Sequence, residues 1–134
     1  MHKAICYVST ASPGIAKEEV ENLLVKSQLK NNDAGITGLL LYSGGNFLQI
    51  IEGSENLIDQ LYKKIRLDRR HFNLIQIFER TASKDSYKKY ESDFISENMN
   101  FNSHKIQHYI EHLQMLDSET RQAVKNILAS FIKL

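Results

Sequence analysis

Three uncharged polar side chains, Tyr7, Asn31 and Gln49, occur in or beside strongly apolar segments of this sequence. Gln49 lies inside the run Phe47-Leu48-Gln49-Ile50-Ile51, which predicts a strand covered on both faces. A buried primary amide with unpaired groups costs about 1–3 kcal/mol, so Gln49 needs polar partners in the interior. A phenol and two amides together suit a flat heterocycle with alternating carbonyls and ring nitrogens.

Each of these residues also has an ordinary structural interpretation. Asn31 and Asn32 could simply end a helix, as asparagine often does. Gln49 could be a satisfied core amide, and Tyr7 a strand aromatic whose hydroxyl finds a local partner. The combination of the three therefore favours a binding site more than any one of them does.

Periodicity and turn residues predict the first elements that position these side chains. A strand over 4–10 ends at Ser12-Pro13-Gly14, and a helix follows from Ala16 to about Asn31. Asn31 lies about two turns after the apolar Leu24, so it falls near the inward stripe of that helix. A hairpin over 36–43 and 46–52 turns at Gly44-Gly45.

The second half of the predicted sheet begins with another amphipathic helix. Ser54 can cap this helix, and strands are expected at 72–81 and 87–95. The order βαββαβ plus a strand predicts an α+β, ferredoxin-like antiparallel sheet with both helices on one face. The first and third strands are then central neighbours, so Tyr7 and Gln49 can face each other. The pattern predicts a buried stripe on this helix formed by Leu57, Ile58, Leu61 and Ile65.

Residues 103–134 predict two amphipathic helices, separated near Asp117-Ser118. Their apolar stripes need a surface, and the second face of the sheet offers one. We expect a two-helix cap there, with any remaining apolar surface available to a second copy of the chain or to a signalling partner.

Composition excludes several classes of function. The chain has 134 residues and a mass of 15.5 kDa, enough for one domain with its own core. Its 17 basic and 16 acidic residues leave a formal charge of +1, which predicts no nucleic-acid or membrane partner. The single Cys6 excludes an internal disulfide, and no leader or stretch of ~20 apolar residues is present, so a cytoplasmic protein is expected.

Several segments in order resemble the motifs of the BLUF domain, the blue-light sensor that uses FAD. The resemblance covers roughly residues 3–94 and implies noncovalently bound FAD, or FMN or riboflavin, between the two helices. It implies a photoreceptor and not an enzyme, with residues 1–98 as the flavin-binding domain and 99–134 as the cap. The segments are Ile5-Cys6-Tyr7-Val8-Ser9, Asn31, Gly35-Ile36-Thr37-Gly38-Leu39-Leu40, Phe47-Leu48-Gln49-Ile50-Ile51-Glu52-Gly53 and Asp68-Arg69-Arg70-His71.

The resemblance also implies roles for individual residues. Tyr7 would donate an electron after illumination, and Gln49 would rearrange its hydrogen bonds between Tyr7 and the flavin. Asn31 would bind a ring carbonyl, and Ser9 would lie near the Tyr–Gln pair. Further flavin contacts are implied for Asn32, Lys64, Asp68, Arg70 and His71.

The sequence departs from the family on the expected fifth strand. Tyr87, Tyr90 and Ser92 stand where the family commonly has Phe, Trp and Met, and the chain contains no tryptophan. We therefore expect the signal to leave through packing of the sheet against the C-terminal helices.

Two other functions share parts of this pattern. An acylphosphatase-like hydrolase has the same element order, but it would need an arginine in the loop after the first strand, and Ala11-Ser12-Pro13-Gly14-Ile15-Ala16 has none. A flavin-free interaction module would let Gln49 and Asn31 satisfy each other, and such a protein would be colourless. No metal is expected, because the outer two of His104, His108 and His112 would be ~12 Å apart along a helix.

Overall fold

The computed structural model describes residues 2–82, 93–96, 122, 125 and 126. For 93–96 the description is of the backbone. The elements in chain order are β1 (His2–Ala11), α1 (Lys17–Asp33), β2 (Thr37–Ser43), β3 (Asn46–Ser54), α2 (Glu55–Leu67), β4 (His71–Ala82) and β5 (Asp93–Ser96).

The strands form one sheet in the order β4-β1-β3-β2-β5, with β1 and β3 paired near its centre. Every pairing among the first four strands is antiparallel, which confirms the predicted α+β ferredoxin-like core. The fifth strand corrects the expectation of a wholly antiparallel sheet, because β5 pairs with β2 in parallel. Three antiparallel pairings separate β4 from β2, so these two strands run in opposite directions. A strand that runs opposite to β4 is therefore parallel to β2.

Helices α1 and α2 pack on the same face of the sheet. Tyr7 pairs with Gln49, and Gln49 and Phe47 are alternate residues of β3, so the side chains of Tyr7 and Phe47 point to the same side of the sheet. Val20 of α1 belongs to the cluster around Phe47, and Ile58 of α2 belongs to the cluster around Tyr7. The helices thus cover neighbouring parts of one face, as the sequence predicts.

The opposite face of the central strands is also buried. Cys6 and Leu48 are 0% exposed, and Ile50 is 1% exposed. The expectation that β3 is covered on both faces is confirmed. The predicted cap over 99–134 falls mostly outside the described residues, so it stays a prediction.

Helix ends differ in two details from the sequence expectation. α1 continues to Asp33, so Asn31 lies inside the last turn and is buried. Ser54 occupies the N-cap position of α2, but its side chain makes no capping hydrogen bond. Ser54 is also the last residue of β3, opposite His2, and the strand pairing fixes its backbone.

Candidate functional site

Tyr7 and Gln49 face each other directly across the pairing of β1 and β3. The Tyr7 hydroxyl donates a hydrogen bond to Oε1 of Gln49. Tyr7 is 3% exposed and Gln49 is 6% exposed, so the pair is screened from water. The predicted meeting of the phenol and the amide is therefore present in the structure.

The amide nitrogen of Gln49 is available to a ligand. Its carbonyl accepts from Tyr7, and no residue in the described part of the chain accepts a hydrogen bond from Nε2. Gln49 borders a cavity, as does Tyr7. A buried amide donor at a cavity wall is the kind of group that fixes the orientation of a polar heterocycle.

The cavity lies between α1 and α2, over the central strands. Its volume is about 270 Å³, close to the lower end of the roughly 300–1,000 Å³ typical of small-molecule sites. It combines apolar walls with a few polar groups. The lining residues are Tyr7, Leu23, Ser27, Lys30, Leu40, Phe47, Gln49, Leu61, Lys64, Ile65, Asp68, Arg70 and His71.

His71 connects three elements at the cavity wall. Its Nδ1 is 2.7 Å from the hydroxyl oxygen of Ser9 in β1, and its Nε2 is 2.6 Å from the carbonyl oxygen of Ile65 in α2. A carbonyl only accepts, so Nε2 carries a proton and, in the neutral ring, Nδ1 accepts from Ser9. Both nitrogens are thus engaged by protein groups, which leaves the ring carbons for a ligand.

Asp68 and Arg70 form a compact ion pair at the cavity wall. The Arg70 guanidinium contacts both carboxylate oxygens, and its Nε lies 2.9 Å from Oδ1 and 3.1 Å from Oδ2. This hydrogen bonding lowers the pKa of Asp68 and raises that of Arg70. The two charges of the pair cancel. Arg70 therefore offers a ligand a fixed hydrogen-bond donor with little net positive charge.

The structure brings some predicted residues to the cavity and leaves others beside it. Lys64 lines the cavity, whereas Asn31 is buried at 8% exposure and is not among the lining residues. Asn32 points to the exposed side of the same turn. Ser27 and Lys30 also line the cavity, and their helical spacing after Leu23, which puts them on its side of α1, is the signal that could have identified them.

The environment of Tyr7 keeps its hydroxyl protonated. Burial is the main cause that raises the pKa of Tyr7, and Tyr62, Asp68 and Cys6 act in the same direction. Tyr7 therefore stays a hydrogen-bond donor well above neutral pH.

This shift predicts a loss of stability at alkaline pH. An unfolded tyrosine ionises near pH ~10, and the folded chain holds the Tyr7 proton more tightly, so this contribution is complete below pH ~10 and is lost above it. We expect the free energy of unfolding to fall above that pH less steeply in Tyr7→Phe than in the parent. Urea unfolding measured between pH 8 and 11 tests this, and equal slopes in the two proteins would contradict it.

Comparison with known proteins identifies the family. The family profile described as "BLUF: Sensors of blue-light using FAD" matches residues 3–93, which is more than half of the chain. This chain belongs to the BLUF family. As a BLUF domain it is a flavin-dependent blue-light sensor, and the resemblance noted in the sequence is confirmed.

Curated relatives share this BLUF region within longer proteins. The chain is 32% identical over 74 residues to the photoactivated adenylate cyclase subunit alpha of Euglena gracilis, covering 55% of this chain and 7% of that protein. It is 30% identical over 60 residues to the blue light- and temperature-regulated antirepressor BluF of Escherichia coli K12, covering 45% of this chain and 15% of the relative. The chain thus spans only a small part of these relatives' length.

Among solved structures, a bacterial light-regulated adenylyl cyclase is 33% identical to this BLUF domain. The match has a TM-score of 0.62 and covers 93% of this chain and 36% of that one. In the described residues no helix is long and apolar enough to cross a membrane. The same residues contain no group of His, Cys, Asp and Glu that could hold a metal ion.

Proposed function

We propose that this chain binds FAD in the cavity between α1 and α2 and switches through Tyr7 and Gln49. The observation that carries the proposal is the hydrogen bond from the buried Tyr7 hydroxyl to Gln49, at the wall of that cavity. The carbonyl oxygen and the NH2 group of Gln49 belong to one amide. A change in the hydrogen bond to Tyr7 therefore also changes the group that Gln49 offers to a ligand.

The proposed switch uses the chemistry of these two side chains. When bound, the flavin supplies absorption of blue light and, once excited, an acceptor for one electron. Tyr7 gives up that electron, and its hydroxyl proton moves to its hydrogen-bond partner, Oε1 of Gln49. The amide then rotates or tautomerises, which exchanges donor for acceptor at the cavity wall. Return of the electron and proton to Tyr7 leaves no net chemical conversion, so the chain acts as a sensor and not as an enzyme.

The cations that line the cavity suit the phosphorylated tail of a flavin. Lys30 of α1 and Lys64 of α2 both line the cavity, and neither has an ion-pair partner among the described residues. Arg70 adds a donor that Asp68 holds in place. These cations support FAD or FMN as the ligand in preference to riboflavin, which carries no phosphate. Titration of the apoprotein with the three flavins, followed by flavin fluorescence, tests this order; tightest binding of riboflavin would contradict it.

We propose that Asn31 binds the flavin ring together with the residues that line the cavity. Asn31 is 8% exposed and lies in the last turn of α1, next in sequence to the lining residue Lys30. Asn31→Ala should weaken flavin binding roughly tenfold, the loss expected for one hydrogen bond of about 1.4 kcal/mol. Asn22→Ala, the same substitution at an exposed position on the opposite side of α1 from Asn31, is the matched control and should bind flavin like the parent. Equal affinities of Asn31→Ala and the parent would contradict the assignment.

We further propose that the output passes to a protein partner or a second copy through residues 99–134, in the cytoplasm. The names of the relatives support an output through other protein parts, since they describe a cyclase and an antirepressor. Hydrogen exchange in the dark and in blue light should then show light-dependent protection within 103–134 as well as near Tyr7 and Gln49. Differences confined to the surroundings of those two residues would contradict this route.

A further inference from the structure

A second buried tyrosine packs beside Tyr7. Tyr62 of α2 is 8% exposed and belongs to the same apolar cluster as Tyr7. The ring centroids of the two tyrosines are 6.0 Å apart, with planes tilted by 46°. Tyr7 lines the cavity and Tyr62 does not, although the two rings are neighbours.

Arg66 lies over the ring of this second tyrosine. Its guanidinium carbon is 5.2 Å from the Tyr62 ring centroid, one helical turn further along α2. A cation near an aromatic ring is attracted to its electron density, and the attraction becomes repulsion if the ring loses an electron. The nearby Glu79 would oppose this effect, but its carboxylate is paired with Lys3. Arg66 therefore opposes the loss of an electron from Tyr62 while the Tyr62 hydroxyl still holds its proton.

We propose that Tyr62 is a second oxidisable tyrosine and that Arg66 keeps the light-driven oxidation on Tyr7. This inference rests on the proposed function, in which the excited flavin is the one-electron oxidant. In the side reaction an electron passes from Tyr62 to the oxidised Tyr7, the Tyr7 phenol recovers its proton from Gln49, and the Tyr62 hydroxyl proton goes to water. The oxidation then lies one ring away from Gln49, and the amide does not switch. Arg66 acts through Tyr62 and is a positioning residue.

The test compares the quantum yield of the red-shifted form in the flavin-loaded parent, Arg66→Gln and Arg66→Lys. Arg66→Gln should lower the yield roughly two- to fivefold, the range set by an exposed cation–π contact, while Arg66→Lys keeps the cation and should resemble the parent. A nitroso spin trap present during illumination should label Tyr62 in Arg66→Gln, as located by peptide mass spectrometry. Adding Tyr62→Phe to Arg66→Gln should restore the parental yield and abolish that label.

The outcomes separate this inference from the function on which it rests. A parent without any red shift would overturn both. If the parent shifts normally while Arg66→Gln keeps the parental quantum yield and carries no label, only the role of Arg66 is overturned. The same conclusion follows if Arg66→Gln lowers the yield and the added Tyr62→Phe does not restore it. If Arg66→Gln does not hold flavin, Tyr62→Trp provides the test. Its indole is more easily oxidised than a phenol, so this variant should have a lower quantum yield and a spin-trap label at position 62 even with Arg66 present. A parental yield there would overturn the inference.

Discussion

Tyr7→Phe and Gln49→Leu should each retain flavin and abolish the red-shifted form. Phenylalanine keeps the ring in the cluster with Tyr62 but removes the hydroxyl that donates to Gln49. Leucine keeps the volume of the amide but can neither accept the Tyr7 proton nor exchange donor for acceptor at the cavity wall. Absorption spectra before and after blue light measure the loss, and the flavin-to-protein ratio shows that binding remains.

The sheet provides matched controls for both changes. Gln76 of β4 is the neighbour of Tyr7 on the other side of β1, but it is exposed and does not line the cavity. Gln76→Leu should therefore photocycle like the parent, as should Tyr42→Phe in β2. A Gln49→Leu protein with the parental light-minus-dark spectrum would show that the amide is not the switch.

Gly38→Ala should nearly abolish folding. A Cβ at this position would lie 1.8 Å from the backbone carbonyl oxygen of Ile50, and the backbone φ of +152° is one that side chains rarely adopt. Both strands would have to move at the centre of the sheet, so we expect a loss on the order of 4 kcal/mol or more in the free energy of unfolding. That is comparable to the whole stability of a small domain, about 5–15 kcal/mol. Thermal unfolding by circular dichroism measures it.

Gly53→Ala is the matched control for this prediction. Gly53 also lies in the sheet, but an added Cβ would meet Ile36 and Ile58 side-chain atoms at 3.5 Å, an ordinary contact distance. We expect a change within about 1 kcal/mol, as for most substitutions without a clash. Similar melting temperatures for Gly38→Ala and Gly53→Ala would contradict the close approach of β2 and β3.

The pairing of Tyr7 with Gln49 could be predicted from the sequence because it depends on strand order alone. Once β1 and β3 are central neighbours, alternation places both side chains on the helix face, and the structure pairs them directly. The burial of Asn31 follows in the same way from its spacing after Leu24 on α1.

Other features depend on how separate elements meet, which a one-dimensional pattern does not determine. Lys30 borders the cavity because of where α1 lies relative to α2. The two hydrogen bonds of His71 require the end of α2, the start of β4 and Ser9 of β1 to converge. The resemblance to BLUF domains implied a flavin contact for His71, and the structure adds that both of its nitrogens already bond to the protein.

The most direct test is the absorption spectrum of the purified, flavin-loaded chain before and after blue light. We predict an oxidised flavin spectrum in the dark, a shift to longer wavelength on illumination without bleaching, and full return in the dark. A chain that takes up no flavin, or whose loaded spectrum is unchanged or bleached by light, would contradict the account of Tyr7 and Gln49 as a light-driven switch.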